Sequence, residues 1–237
     1  MKYCLVIIVM LISMPAYSGM IDLSSVGSSA QVNGAIFLQI SPSIPAGSGT
    51  WNSFLKLQAK TTTNEMGYNT NGSVPNSDKN KGLKEGKAIQ VGNIPILIYG
   101  GVAYREFCLD VSQNNSGFLS LDQLKFHLAN TGNKVGYPNS ELGPAIFDLS
   151  VTGNWIKMKD RNPGNGRADL AVLIPSSLFG SDNAKYVYLF SELGANCNAD
   201  NGYEEWGIGT GGTLIPEPAT LAILGLGAAV IATRRKK

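Results

Sequence analysis

The sequence has little of what most catalytic sites require. Its 237 residues include one histidine and three cysteines, and only 15% of them are charged. The histidine, His127, lies between Phe126 and Leu128 and has no accompanying Gly-x-Ser-x-Gly sequence, so we predict a structural or solvated side chain on a strand's exposed face. Cys108 and Cys197 lie far apart, without the Cys-x-x-Cys spacing typical of zinc sites. These shortages argue against a hydrolase triad and against a zinc centre.

Three acidic residues, Asp200, Glu204 and Glu205, remain as catalytic candidates beside Trp206. A glycosidase needs two carboxyl groups at a set separation. Adjacent residues of a strand point to opposite faces, so Glu204 and Glu205 cannot form that pair together. We predict an exposed strand end here and assign no catalytic residue, which leaves a hydrolase as the third hypothesis.

A calcium site is a further alternative. Segment 110–122 contains Asp110, Ser112, Asn114 and Gly117, but the glycine and the final acid both fall outside the EF-hand register. The turn at 162–169 also offers oxygen atoms. The pattern predicts no metal ligands, and no cofactor is assigned beyond this alternative.

Positive charge is also scarce once the two ends are set aside. The chain has 19 Lys and Arg against 17 Asp and Glu, but five of the 19 are Lys2 and the last four residues. Without those five, 14 cations face 17 acids, so the chain is mildly acidic. This balance excludes an electrostatic case for nucleic-acid binding.

The N-terminus has the pattern of a secretory signal peptide. Lys2 is followed by an apolar core and by small residues at Ala16 and Ser18. This pattern predicts a signal helix over 1–18, with cleavage between Ser18 and Gly19. We expect the body of the protein, residues 19–213, to be exported.

The C-terminal segment, 214–237, combines three unlike pieces. A Pro216-Glu217-Pro218 sequence precedes an apolar run over 219–232, and the chain ends with Arg234, Arg235, Lys236 and Lys237. A membrane accommodates all three, because the apolar run enters lipid as a helix while the cations stay on the cytoplasmic side. The run is shorter than the roughly 20 residues that span a bilayer comfortably. It therefore predicts a marginal transmembrane anchor.

These three pieces, in this order, resemble the PEP-CTERM sorting domain of exported bacterial proteins. The resemblance implies recognition by an exosortase, a membrane transpeptidase, at Pro216, Glu217 and Pro218. It also implies transient attachment to the inner membrane, removal of the tail near the motif, and delivery to the cell envelope or outside the cell. Such proteins accompany exopolysaccharide production. An ordinary C-terminal anchor is the alternative.

The body predicts an all-β fold, a β-sandwich of about nine short strands separated by turn residues. The expected strands are 31–40, 51–59, 119–128, 145–151, 155–158, 169–174, 186–190 and 203–208, together with the apolar region 88–111, whose segments 88–91, 94–99 and 102–111 are separated by glycines. Over 119–128 we prefer a strand with a bulge at Asp122-Gln123 to a helix. We expect a long surface loop with a short hairpin at most over 61–87, a hairpin or loop at 160–166, and a single helical turn at 175–179.

Two hypotheses for function remain ahead of the hydrolase. The first is a non-catalytic protein of the envelope or extracellular matrix. The alternative is a carbohydrate-binding module, for which Trp51, Trp155 and Trp206 are available. In an exported body, Cys108 and Cys197 are also a candidate disulfide, which would stabilise the fold by about 4 kcal/mol; two separate buried thiols are the alternative.

Overall fold

The computed structural model describes residues 19–40, 52–59, 63–75, 82–113, 117–138, 142–162 and 167–209. The predicted signal helix over 1–18 and the whole segment 214–237, with the sorting motif, the predicted transmembrane helix and the basic tail, lie outside the described residues. Trp51 lies outside them as well.

The described ranges contain fifteen β-strands and three short 3-10 turns. The strands in chain order are β1 (Met20–Asp22), β2 (Ser29–Val32), β3 (Ala35–Gln39), β4 (Asn52–Leu57), β5 (Glu65–Tyr68), β6 (Leu83–Gly86), β7 (Ile89–Gln90), β8 (Ile96–Tyr99), β9 (Val102–Asp110), β10 (Phe118–Ala129), β11 (Phe147–Asp148), β12 (Trp155–Lys159), β13 (Leu170–Pro175), β14 (Tyr186–Leu193) and β15 (Glu204–Ile208).

The strands form two sheets. The seven-stranded sheet has the order β1-β12-β10-β14-β5, with β11 beside β10 and β7 beside β14. The eight-stranded sheet has the order β2-β3-β13-β9-β15-β4-β6, with β8 beside β9. Every pair of named strands is antiparallel except β1 and β12, which run parallel.

One hydrophobic core joins the two sheets. On β12, Ile156 and Met158 are fully buried, while the alternating residues are half-buried on the other face. The same core receives Phe126 from β10 and Phe107 from β9, whose ring centroids lie 4.6 Å apart across the sheets. Burying each such side chain contributes about 1.5–3 kcal/mol. The described residues are therefore all-β with two sheets around a shared core, which is consistent with a β-sandwich.

Both sheets also bury side chains on their outer faces. A second cluster, which includes Leu38, Cys108 and Leu173, covers the far side of the eight-stranded sheet. A third cluster, which includes Tyr137, Tyr188 and Phe190, covers part of the seven-stranded sheet. Strands that are buried on both faces lose the alternation of polar and apolar residues, and this explains why several of them look uniformly hydrophobic in the sequence.

The predicted bulge in β10 is present. Pairing between β10 and β14 shifts register between Leu121 and Gln123, so that Asp122 and Gln123 together occupy one outward step between the buried Leu121 and Leu124. The predicted helical turn forms a 3-10 turn over Ser176–Phe179. The strands over 102–111, 155–158, 169–174, 186–190 and 203–208 also overlap observed strands closely.

Two expectations were wrong, and a third had left two alternatives open. Segment 31–40 is a hairpin of β2 and β3 instead of one strand, which contributes to the excess over nine strands. Segment 61–87 was expected to be a surface loop, but its described residues include β5, which pairs with β14 in one sheet, and β6, which pairs with β4 in the other. Strands β12 and β13, which flank 160–166, belong to different sheets, so the hairpin alternative is excluded and the loop alternative remains.

Candidate functional site

His127 is buried, contrary to the prediction of an exposed side chain. It is 6% exposed, and its Nδ1 atom lies 3.0 Å from the carbonyl oxygen of Gly143. The Tyr137 ring packs edge-on against the imidazole, at a centroid distance of 5.7 Å. Burial lowers the pKa of His127. Tyr137 and Gly143 therefore cover His127 on this face of the sheet, which periodicity within β10 alone does not reveal.

The predicted disulfide is absent, and both Cys108 and Cys197 are free thiols. Cys108 belongs to the cluster on the outer face of the eight-stranded sheet. The backbone amide of Cys197 donates instead to Ser120 Oγ on the seven-stranded sheet, at 2.8 Å. Cys108 lies on β9 of the eight-stranded sheet, whereas Cys197 lies in the turn after β14 of the seven-stranded sheet, so the even cysteine count and the exported compartment were misleading. The alternative of two separate buried thiols is correct in that the thiols are separate, but only Cys108 is buried and Cys197 is half-buried.

Glu204 and Glu205 do point to opposite faces, as predicted, but the strand end is buried and not exposed. Glu205 is 6% exposed, and its Oε1 accepts from Lys56 Nζ at 2.6 Å. Glu204 is fully buried, and its Cα partner on β4 is the core residue Leu57. The two carboxyl groups therefore have separate surroundings, which excludes them as a joint catalytic pair.

A carboxyl pair does exist, but its second member is Glu65, which the sequence did not single out. Glu65 on β5 is fully buried, opposite the core residue Leu193 of β14. Its carboxyl group interacts electrostatically with that of Glu204 on the other sheet, so the two carboxyl groups form one buried pair in the interior. Gln113 Nε2 donates to Glu204 Oε1 at 2.8 Å. The Asn and Gly residues near Glu65 give β5 the composition of a loop, and for this reason the sequence did not predict that Glu65 is buried in a strand.

Burial favours the protonated forms of these two carboxyl groups. It is the largest cause of the raised pKa of both Glu65 and Glu204, and the negative charge of Asp200 acts in the same direction. Two buried carboxyl groups in contact cannot both ionise cheaply. The pair therefore holds a proton between its members in the folded protein.

Acidic residues in and beside the two candidate calcium segments accept hydrogen bonds that hold loops in place, within the part of the chain that the structure describes. Asp169 accepts backbone N–H groups from Val111, Arg161 and Asn162 at 2.8–3.0 Å. Asp160 accepts the N–H of Gln113 at 3.0 Å. Within the described ranges no group of three or more His, Cys, Asp and Glu residues is placed to hold a metal ion. Residues 114–116 and 163–166 of the two candidate loops lie outside those ranges.

The described tryptophans differ in accessibility. Trp206 is fully buried in the shared core, so it is unsuited to bind a ligand. Trp155 is half-buried and lines an open groove of about 520 Å³ on the seven-stranded sheet. The other lining residues include six polar side chains, those of Asp122, Gln123, Ser150, Asn154, Glu192 and Asn196.

The β10 bulge and the turn after β14 build this groove. Gly194 begins the turn with a φ of 85°, and a Cβ there would lie 2.4 Å from the Thr63 carbonyl oxygen, so only glycine fits. The Gly194 amide donates to the carbonyl of Ser120 at 2.9 Å. Asp122 Oδ2 accepts from Ser120 Oγ at 2.8 Å and from the Ala195 amide at 2.7 Å. The bulged residue thus holds the turn in place.

The described residues therefore define an all-β, two-sheet protein with an open, polar groove that one tryptophan lines. None of them forms a helix long and apolar enough to cross a membrane. Outside that part, residues 214–236 match the family described as the PEP-CTERM protein-sorting motif. The chain thus contains a PEP-CTERM sorting motif at its C-terminal end, and this motif supports export and exosortase sorting. No curated protein and no solved structure matches the chain.

Proposed function

We propose that this chain is a non-catalytic protein of the cell envelope or extracellular matrix, which an exosortase sorts through Pro216-Glu217-Pro218. The match of residues 214–236 to the sorting motif carries the proposal. The apolar run over 219–232 holds the chain transiently in the inner membrane, and the four terminal cations keep that end in the cytoplasm. Export begins with the signal peptide over 1–18, and cleavage follows Ser18.

Three features of the described residues support the non-catalytic part of the proposal. The chain's one histidine is buried and its Nδ1 is engaged by a backbone carbonyl. The carboxyl pair of Glu65 and Glu204 has no solvent exposure. In the groove, the carboxylates of Asp122 and Glu192 already accept hydrogen bonds from neighbouring side chains. General acid–base catalysis requires a group within hydrogen-bond reach of the substrate.

Substitution of the motif tests the sorting. In cells with an active exosortase, we expect the double variant Pro216→Ala, Pro218→Ala to accumulate with the membrane, because the signal for removing its anchor is lost. Pro144→Ala changes an exposed proline of the body and is the matched control; it should be released like the wild type. Fractionation and immunoblotting measure both. Equal release of the motif variant would contradict the proposal.

A carbohydrate-binding module is the second candidate. The half-buried position of Trp155 in an open polar groove favours it, since ligand sites combine aromatic surface with a few fixed polar groups. The protein's exported location supplies contact with surface polysaccharide. Binding of the purified protein to a panel of oligosaccharides tests this candidate independently of sorting.

A further inference from the structure

The groove on the seven-stranded sheet is chemically selective. Among the described residues, its ionisable lining groups are Asp122 and Glu192, and no Lys, Arg or His lines it. An anionic ligand such as a phosphate or an acidic sugar would meet repulsion there, without a cation to compensate. The lining therefore disfavours anions and leaves neutral or cationic ligands.

The two carboxylates are already occupied as acceptors. Asp122 Oδ1 accepts from Asn196 Nδ2 at 2.7 Å, in addition to the two donors on its Oδ2. Glu192 accepts from Gln123 Nε2 through Oε2 and from Asn64 Nδ2 through Oε1 at 3.3 Å. These donors stabilise the negative charge of the two carboxylates and occupy their oxygen atoms, so the groove attracts a cationic ligand less strongly.

The same bonds orient two amide groups at the groove. Each amide has two N–H donors and a carbonyl acceptor, and one N–H of Asn196 and one of Gln123 are used in holding the carboxylates. A neutral hydroxyl-rich ligand both donates and accepts hydrogen bonds, so it suits such mixed groups. Because the network orients the side chains before binding, less conformational entropy is lost when the ligand binds.

Trp155 supplies the apolar contact. It is the first residue of β12 and pairs with Met20 of β1 on one side. On the other side, the next residue, Ile156, pairs with Leu121 of β10, directly before the bulge. The face of an indole ring is electron-rich and attracts the weakly positive C–H groups of a sugar ring. A flat aromatic surface beside fixed amides is a combination that recognises a sugar by its C–H face and its hydroxyl groups together.

We propose that the groove formed by Trp155, the Asp122-Gln123 bulge, Glu192 and the turn at Ala195-Asn196 binds a neutral glycan. This inference rests on the second candidate function and specifies its site and ligand class. Trp155 contacts the sugar ring, and the amides of Gln123 and Asn196 bind hydroxyl groups. A volume of about 520 Å³ lies within the range of small-molecule sites.

Isothermal titration calorimetry on the purified protein tests the assignment. The probes are the neutral hexasaccharides of glucose, mannose and galactose, with hexagalacturonate as the anion and a chitosan hexamer as the cation. We expect binding of at least one neutral probe and at least tenfold weaker binding by Trp155→Ala. Phe118→Ala is the matched control, since Phe118 is an exposed aromatic residue of β10 outside the groove. It should bind like the wild type.

A second variant avoids any dependence on the stability of Trp155→Ala. Ala195 is exposed at the groove, so Ala195→Arg fills the site without disturbing the core, and it should abolish binding. Neutral binding that survives both substitutions would overturn the groove while leaving a glycan-binding function in place. Stronger binding of the anionic or the cationic probe would overturn the ligand class. Absence of binding to all neutral probes by folded wild-type protein would overturn both the site and the second candidate, whereas sorting would be unaffected.

Discussion

At the scale of single residues, the interior carboxyl pair has the clearest physical consequence. Glu65 and Glu204 each have a pKa that burial raises above the ordinary value of 4.5. The folded state therefore binds protons more tightly than the unfolded state does. The stability that the protonated pair contributes is complete below about pH 4.5 and is lost as pH rises through the folded-state pKa values.

Glu65→Gln should reduce this loss. The amide keeps the size of the side chain, stays neutral and can donate an N–H to Glu204. We expect little change in the free energy of unfolding at pH 5 and a gain on the order of 1 kcal/mol at pH 9, where the wild type carries an imperfectly paired buried charge. Urea unfolding at the two pH values measures the difference.

Glu85→Gln is the matched control for this prediction. Glu85 is exposed beside Lys87, which lowers its pKa, so its substitution should change stability little at either pH. Asp169, whose pKa burial raises to about 8 despite three backbone N–H partners, contributes a pH dependence common to all variants. An equal loss of stability at pH 5 and pH 9 in Glu65→Gln would contradict the account.

The sequence predicts only part of this residue-scale chemistry. Alternation along β15 correctly separated the faces of Glu204 and Glu205. It could not predict that Glu204 faces inward, because the partner that makes burial tolerable comes from the other sheet. His127 shows the same limit, since Tyr137 and Gly143, which cover it, lie outside its own strand. Burial of a polar residue depends on what packs over it, and periodicity contains no such information.

At the scale of elements, the β2–β3 hairpin depends on two consecutive residues with positive φ. Asn33 has a φ of 50° and Gly34 a φ of 82°, the pattern of a type I′ turn, which matches the twist of the flanking strands. The Asn-Gly pair is a strong hairpin signal, and the prediction of one strand over 31–40 overlooked it. Here the information was present in the sequence.

Gly34→Ala should destabilise the protein by about 1 kcal/mol, because alanine is strained in the left-handed region. A Cβ at this position would lie 3.6 Å from Pro175 Cγ, an ordinary contact, so the cost is conformational and not steric. Gly34→Asn is the control, since asparagine tolerates this conformation, and it should lose clearly less stability. Urea unfolding compares them, and an equal loss in both variants would refute the turn argument.

Two other elements mark the boundary of sequence inference. The β10 bulge was predictable, because two polar residues interrupt an otherwise regular apolar pattern at Asp122-Gln123. Strand β5 was not, because its sequence Glu-Met-Gly-Tyr has little strand character and forms a strand by pairing with β14. Tertiary pairing overrides weak local preference at such positions.

At the scale of the whole molecule, composition and turn spacing predict the all-β class, and the structure confirms it for the described residues. The number of strands and their division between sheets follow from long-range pairing, as in β9, which contacts β8, β13 and β15. The functional features also divide into those that depend on local sequence and those that depend on long-range pairing. The sorting motif is read locally from residues 214–236, whereas the groove exists only after β10, β12 and β14 have assembled.

The central claim is that an exosortase processes this chain at its sorting motif. The most direct measurement is the intact mass of the protein released by cells with an active exosortase, compared with that from cells lacking the enzyme. We predict that the released protein lacks the apolar run and the four terminal cations, and that the tail persists without the enzyme. A mature protein that is intact through Lys237 in cells with active exosortase would contradict the account.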